Sequence, residues 1–143
     1  MIRFSAVFLT LALAALHGFG YEAVKIQTIK NGKQYQFSFN IEKGYGVQRD
    51  GEHKLDIYRL KPGHEKATTL REKIQKYGEK IASLPKLSGT IAREDKEYFS
   101  TLKSVSVPSS AIAPGTYVLQ GRILFCSFAD KFCSAQSVGK ILP

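Results

Sequence analysis

Between residues 34 and 41 apolar and polar side chains alternate without a break. Tyr35, Phe37, Phe39 and Ile41 fall on one face, Gln34, Gln36, Ser38 and Asn40 on the other. Successive strand side chains point to opposite faces, so this period of two predicts a half-buried strand. Val24 to Ile29 predicts the strand before it, ended by the turn pair Asn31-Gly32. Gly44-Tyr45-Gly46 and Asp50-Gly51 mark a loop, and Lys54 to Leu60 predicts a third strand with Leu55 and Ile57 inward. Lys61-Pro62-Gly63 breaks that strand, and the period then changes. Leu70, Ile74, Tyr77, Ile81 and Leu84 recur at three- and four-residue steps. Thr69 and Glu72 have the spacing of a capping box, and Pro85 stops the run. This predicts one helix over Leu70 to Ser83, in which Gly78 costs about 1 kcal/mol relative to alanine. Strands return at Ile91, from Tyr98 to Val107, from Thr116 to Phe128 after the turn Ala113-Pro114-Gly115, and again after Cys133. About seven short strands between turn signals, with one short helical insertion, predict a mostly β chain, an immunoglobulin-like β-sandwich.

The first twenty residues follow a different pattern. Met1-Ile2-Arg3 carries a positive charge, Phe4 to Leu16 is apolar apart from Ser5 and Thr10, and small residues stand at Gly18 and Gly20 before Tyr21. That is the form of a signal peptide over residues 1–20. The run is short for a membrane span, and no other stretch approaches the required length. With no cysteine after the run to carry a lipid, the expectation is an exported, periplasmic protein that does not span the membrane after processing. Residues 21–143 are then one domain, about 123 residues, enough to enclose a core.

The whole chain holds 21 basic and 12 acidic residues, and loss of Arg3 with the leader leaves a formal charge of +8. In a cytosolic protein this excess would raise nucleic-acid binding. An exported chain has no nucleic-acid partner, and charges of both signs are interleaved. The balance implies a well-solvated surface, and beyond that some affinity for anionic surfaces or acidic proteins.

The chain has two cysteines, Cys126 and Cys133, and so one possible intramolecular connectivity. Outside the cytoplasm they can oxidise. If Ala129-Asp130 is the tip of a hairpin, Cys126 lies opposite Cys133, with Cβ atoms about 4.5–5.5 Å apart. A disulfide needs only modest tightening from there. Along the preceding strand Tyr117, Leu119, Ile123 and Phe125 make the better core face. Val118, Gln120, Arg122, Leu124 and Cys126 share the other. Cys126 is therefore expected on the more polar side or at its rim, and access is what a reactive cysteine needs. A loop this short stabilises by about 2.5 kcal/mol, against nearly 5 kcal/mol for a loop of about a hundred residues. Structural hairpin disulfides are nevertheless common, so spacing leaves two readings open. The pair is redox-active, or the chain is a non-catalytic exported interaction module with a structural disulfide. A metal site from Cys126, Cys133, His53 and His64 matches no zinc spacing. The single methionine is the initiator, which removes a thioether copper site. No Ser–His–Asp or paired-carboxylate pattern stands out, and no cofactor is called for.

The segment from Gly115 to Cys133 resembles the strand and cysteine hairpin of the amino-terminal periplasmic domain of DsbD-type thiol:disulfide interchange proteins, the disulfide bond corrector family. Phe39 to Asp50 is similar to that family's second strand and following loop, and Tyr98-Phe99 leading into Val105 and Val107 fits its pattern. The similarity runs from Val24 to Ser137. It implies an immunoglobulin-like sandwich whose Cys126–Cys133 pair accepts electrons from a membrane thiol:disulfide protein and reduces periplasmic thioredoxin-like proteins. It implies that Cys133 attacks the substrate and Cys126 resolves. It also implies a loop with an aromatic tip that caps the disulfide. Gly44 to Gly51 takes that place, with Tyr45 its aromatic, and Phe128 and Phe132 on the hairpin are the other candidate caps. Lys131 and Arg122 would favour a thiolate there, and Asp130 would oppose it. The stretch between the cysteines is one residue longer than in the best-known members, and the helical segment does not map onto the family. The chain carries neither a transmembrane nor a thioredoxin domain, so a relay would run through separate proteins.

Overall fold

The computed structural model describes residues 22–31, 34–108 and 115–143. The leader expected at 1–20 lies outside them, as do Gly32 of the first turn signal and Ala113 and Pro114 of the last. The described residues form strands β1 (Val24–Asn31), β2 (Gln34–Ile41), β3 (Tyr45–Gln48), β4 (Lys54–Leu60), β5 (Gly78–Ser83), β6 (Gly89–Ile91), β7 (Tyr98–Leu102), β8 (Val105–Pro108), β9 (Thr116–Ser127) and β10 (Cys133–Ile141). One helix, α1 (Leu70–Tyr77), and a 3-10 turn at His64–Lys66 sit between β4 and β5. The fold is mostly β with one short helix.

All pairings are antiparallel. β1, β2 and β8 make a three-stranded sheet, and the other seven strands make a second, curled sheet. The twelve-residue β9 is the spine of the larger sheet. β10 runs along one edge of it from Cys126 back to Val118. The other edge is shared: β4 pairs with Thr116–Arg122 and β3 with Phe125–Ser127. β4 then leads to β5, and β3 to β7 and β6.

Both sheets contribute to one core. Val24, Ile26, Tyr35 and Phe37 of the small sheet meet Leu55, Ile57, Tyr117, Leu119 and Ile123 of the large one. The alternation in β2 and β9 thus sorts side chains as anticipated, each buried Leu, Ile or Phe being worth about 1.5–3 kcal/mol. Along one seam the sheets are joined by side chains. The buried Gln136 amide accepts from Val24 N–H at 3.0 Å and donates to Val24 C=O at 2.7 Å. Lys140 Nζ donates to Ile26 C=O.

Three segments depart from the sequence expectation. The helix ends at Tyr77, and residues 78–83 are strand β5 on the edge of β4. Its start is as anticipated, with Glu72 N–H donating to Thr69 Oγ1 at 3.1 Å. A Cβ at Gly78 would lie 2.4 Å from the Ile74 carbonyl oxygen, so glycine lets the chain pass straight from helix to strand. Ile74 packs with Leu60 and Val118 on the outer face of the large sheet. Ile81 is exposed and Leu84 joins the main core, so their helical spacing from Ile74 reflects no shared face. The run Tyr98 to Val107 is two strands. At Lys103-Ser104 the chain leaves the large sheet and enters the small one as β8. Finally, the expected loop Gly44–Gly51 contains β3, four residues long and too short to show a period.

Candidate functional site

Ser127 N–H donates to Phe132 C=O at 2.8 Å, the last backbone bond of the β9–β10 hairpin. Antiparallel pairs alternate between bonded and non-bonded, so the next pair inward, Cys126 and Cys133, is of the class whose side chains approach most closely. Their Cα atoms are 4.0 Å apart and their sulfurs are bonded at 1.98 Å. Phe128 to Lys131 form the connection, with Asp130 N–H donating to Ser127 Oγ at 3.2 Å and Lys131 left-handed at φ 50°. The anticipated tip, Ala129-Asp130, is the middle of this loop.

The two sulfurs have different surroundings. β10 is an edge strand, and Cys133 is exposed. Cys126 lies on the face turned away from the core, as anticipated, yet it is only 4% exposed. Its cover comes from β3 and β7. Gly46 is its partner on β3, and a Cβ there would lie 2.6 Å from Phe128 Cζ and 2.7 Å from Tyr98 Cβ. The missing side chain is thus the space in which those two residues sit. Their rings meet edge to face at 5.7 Å. Gln48 Nε2 donates to Cys126 Sγ at 3.5 Å, and the Tyr98 hydroxyl lies 3.9 Å from Cys133 Sγ. A cavity of about 350 Å³ opens at this point, walled by both cysteines, Tyr98 and Phe128, with Glu94, Asp95 and Lys131 as its charged lining.

Of the three aromatic candidates, Phe128 lines this cavity. Tyr45 and Phe132 instead pack around Phe125, at 5.8 and 6.3 Å between centroids. Phe125 projects to the face opposite Cys126, because the two are adjacent along a strand. Lys131 reaches the cavity, whereas the Arg122 guanidinium lies 4.0 Å from the Glu52 carboxylate. Gly44–Gly51 contributes Gly46 and Gln48 beside Cys126, and the outer wall of the cavity is the β6–β7 connection. Ala92 N–H to Tyr98 C=O (2.8 Å) closes it, and Asp95 Oδ1 accepts from Glu97 N–H (3.0 Å). Gln48, Tyr98, Glu94 and Asp95 are thus additions to the site that residue type and spacing did not reveal. Only the register of β3 with β7 and β9 assembles them.

His53 holds this end of the sheet together. Neither β3 nor β4 pairs with Ile123 or Leu124 of β9. His53 Nδ1 fills that gap by accepting from Leu124 N–H at 3.1 Å. Nε2 therefore carries the proton and donates to Gln48 C=O at 2.5 Å. Burial pushes the imidazole pKa below its ordinary 6.5, partly opposed by the bond to Gln48. His64 lies elsewhere, on the 3-10 turn, with Nε2 3.3 Å from Glu65. Among the described residues no three His, Cys, Asp or Glu side chains gather as metal ligands would, and no helix is long and apolar enough to cross a membrane. Comparison with protein-family models and with curated proteins finds no match to this chain.

Proposed function

We propose that this protein is an exported thiol:disulfide relay, passing electrons through Cys126–Cys133 from a membrane thiol:disulfide protein to periplasmic thioredoxin-like proteins. The observation that carries the reading is the asymmetry of the pair. One sulfur belongs to an exposed residue on an edge strand beside an open cavity, and its partner is covered just behind. A staple works equally well with both sulfurs buried, and a bond across a hairpin adds little, because the turn already brings its ends together. An exposed sulfur backed by a resolving one is what exchange chemistry uses.

The steps follow from access. A donor thiolate attacks Cys133 Sγ, forming a mixed disulfide. The Cys126–Cys133 bond breaks, and its electron pair stays on Cys126 Sγ. The donor's second thiolate then attacks its own sulfur in the mixed disulfide, so the donor leaves oxidised and Cys133 leaves as thiolate. The pair has gained two electrons. Cys133 next attacks the disulfide of the acceptor, and Cys126 resolves that second mixed disulfide, reducing the acceptor and restoring the bond. Each step depends on thiolate fraction and access. In this reading residues 1–20 are the leader that delivers the chain to the periplasm. The two sheets are an immunoglobulin-like sandwich whose larger sheet is curled.

Equilibration of the purified protein with dithiothreitol redox buffers tests the proposal. A relay pair equilibrates at a potential well above about −300 mV. A value at or below that figure identifies a structural disulfide, and the protein is then a non-catalytic interaction module. In parallel, Cys126→Ser leaves Cys133 to accumulate a mixed disulfide with a thioredoxin-like or membrane thiol protein.

A further inference from the structure

Resting on the relay reading of the pair, we propose that the Gln48 side-chain amide receives the charge released when the disulfide opens, making Cys126 the sulfur expelled as thiolate. Attack at the exposed Cys133 leaves the electron pair on Cys126, and exchange is faster when the departing sulfur is the more stable thiolate. Burial works against that outcome, because removal from water disfavours the charged form. Cys126 is the buried member of the pair, so it needs local compensation.

The charged groups nearby do not supply it. The cavity lining sets two carboxylates, Glu94 and Asp95, against the single ammonium of Lys131. Arg122, on the same face of β9, is turned toward Glu52. What does point at the sulfur is a neutral donor. Gln48 Nε2 lies 3.5 Å from Cys126 Sγ, and the amide has a donor hydrogen for it without adding a charge to be buried. Gln48 is also held in place. Its register partner on β7 is Tyr98, and its carbonyl is bound by His53, which is itself anchored on Leu124 two residues from Cys126. The donor is therefore positioned before the bond opens, and no rearrangement is required as charge develops. Tyr98 stands in the corresponding position beside Cys133, at 3.9 Å, so that each sulfur has its own polar neighbour.

The test uses the full chain in a Cys133→Ser background, where Cys126 is the only thiol and its thiolate absorbance can be followed against pH. Gln48→Leu and Gln48→Met both remove the donor, the second at nearly unchanged length. Each is expected to raise the Cys126 midpoint by about one pH unit, the size of a hydrogen bond to a charged group. With both cysteines present, the same substitutions are expected to slow opening of the disulfide by dithiothreitol roughly threefold, since rate follows thiol acidity less than one-to-one. A midpoint left in place by both substitutions overturns the assignment. A raised midpoint in a protein whose native pair sits at a structural potential upholds the role of Gln48 and removes the relay instead.

Discussion

Gln48 and Tyr98 are direct partners across β3 and β7, and each reaches a different sulfur of the same disulfide. The inner sulfur is met by an amide whose backbone is tied to β9 through His53. The outer one is met by a phenol whose ring also packs against Phe128. One cross-strand pair thus supplies polar contacts to both ends of a bond formed between two other strands.

This arrangement makes Tyr98 part of the cover. Tyr98→Ala removes both the ring against Phe128 and the hydroxyl beside Cys133, and is expected to speed reduction by dithiothreitol several-fold. Tyr98→Phe keeps the ring and should retain most of the protection. The two rates, measured at equal reductant, separate shielding from hydrogen bonding. Equal rates for wild type and the alanine variant would show that the ring shields nothing.

Reduction should reveal the asymmetry directly. Once the bond is opened, Cys133 is expected to alkylate roughly tenfold faster than Cys126, because access controls thiol reactivity. Brief treatment with iodoacetamide followed by peptide mass measurement reads the ratio. Equal labelling would mean that the cover over Cys126 opens freely in the reduced state.

Gly46→Ala places a methyl group where Phe128 and Tyr98 already stand, against contacts of 2.6 and 2.7 Å. Overpacking of this kind costs about 1–3 kcal/mol. A lower urea midpoint is expected, together with faster opening of the disulfide as Phe128 is displaced. Unchanged stability would indicate that both rings can move aside at no cost.

His53 predicts a pH dependence of stability. Burial holds its pKa below the ordinary 6.5, so between 6.5 and the lowered value the unfolded chain binds more protons than the folded one. The contribution is complete above 6.5 and is lost as pH falls below it, through the lowered value. Burial is the cause, and the geometry acts in the same direction, since a proton on Nδ1 would face the Leu124 N–H that this atom accepts from. The urea midpoint is expected to be lower at about pH 5 than at about pH 8, and His53→Gln should flatten the difference. An undiminished slope in the variant would assign the effect to other groups.

Much of this molecule is legible one residue at a time. The alternation from Gln34 to Ile41 gives a strand and its buried face, Lys54 to Leu60 is a strand with the bounds read from its pattern, and Thr69 with Glu72 marks where the helix starts. The opposition of Cys126 and Cys133 is also local, because a hairpin with six intervening residues allows few registers. The helix stops short of the predicted Ser83 for an equally local reason: Ile81 and Leu84 keep a helical period by chance, and the steric demand that makes Gly78 an end point depends on where the Ile74 carbonyl lies.

What surrounds the sulfurs is of another kind. β3 has four residues and no period, Gln48 and Tyr98 are fifty positions apart, and Glu94 and Asp95 enter through the β6–β7 connection. Side-chain pattern reports only which face of a strand meets the core. Which strands become neighbours is set by long-range pairing, and here β9 is long enough to take two partners on one edge. That pairing decides which cysteine is covered and which is exposed, so the surroundings of the disulfide are set between segments distant in the chain.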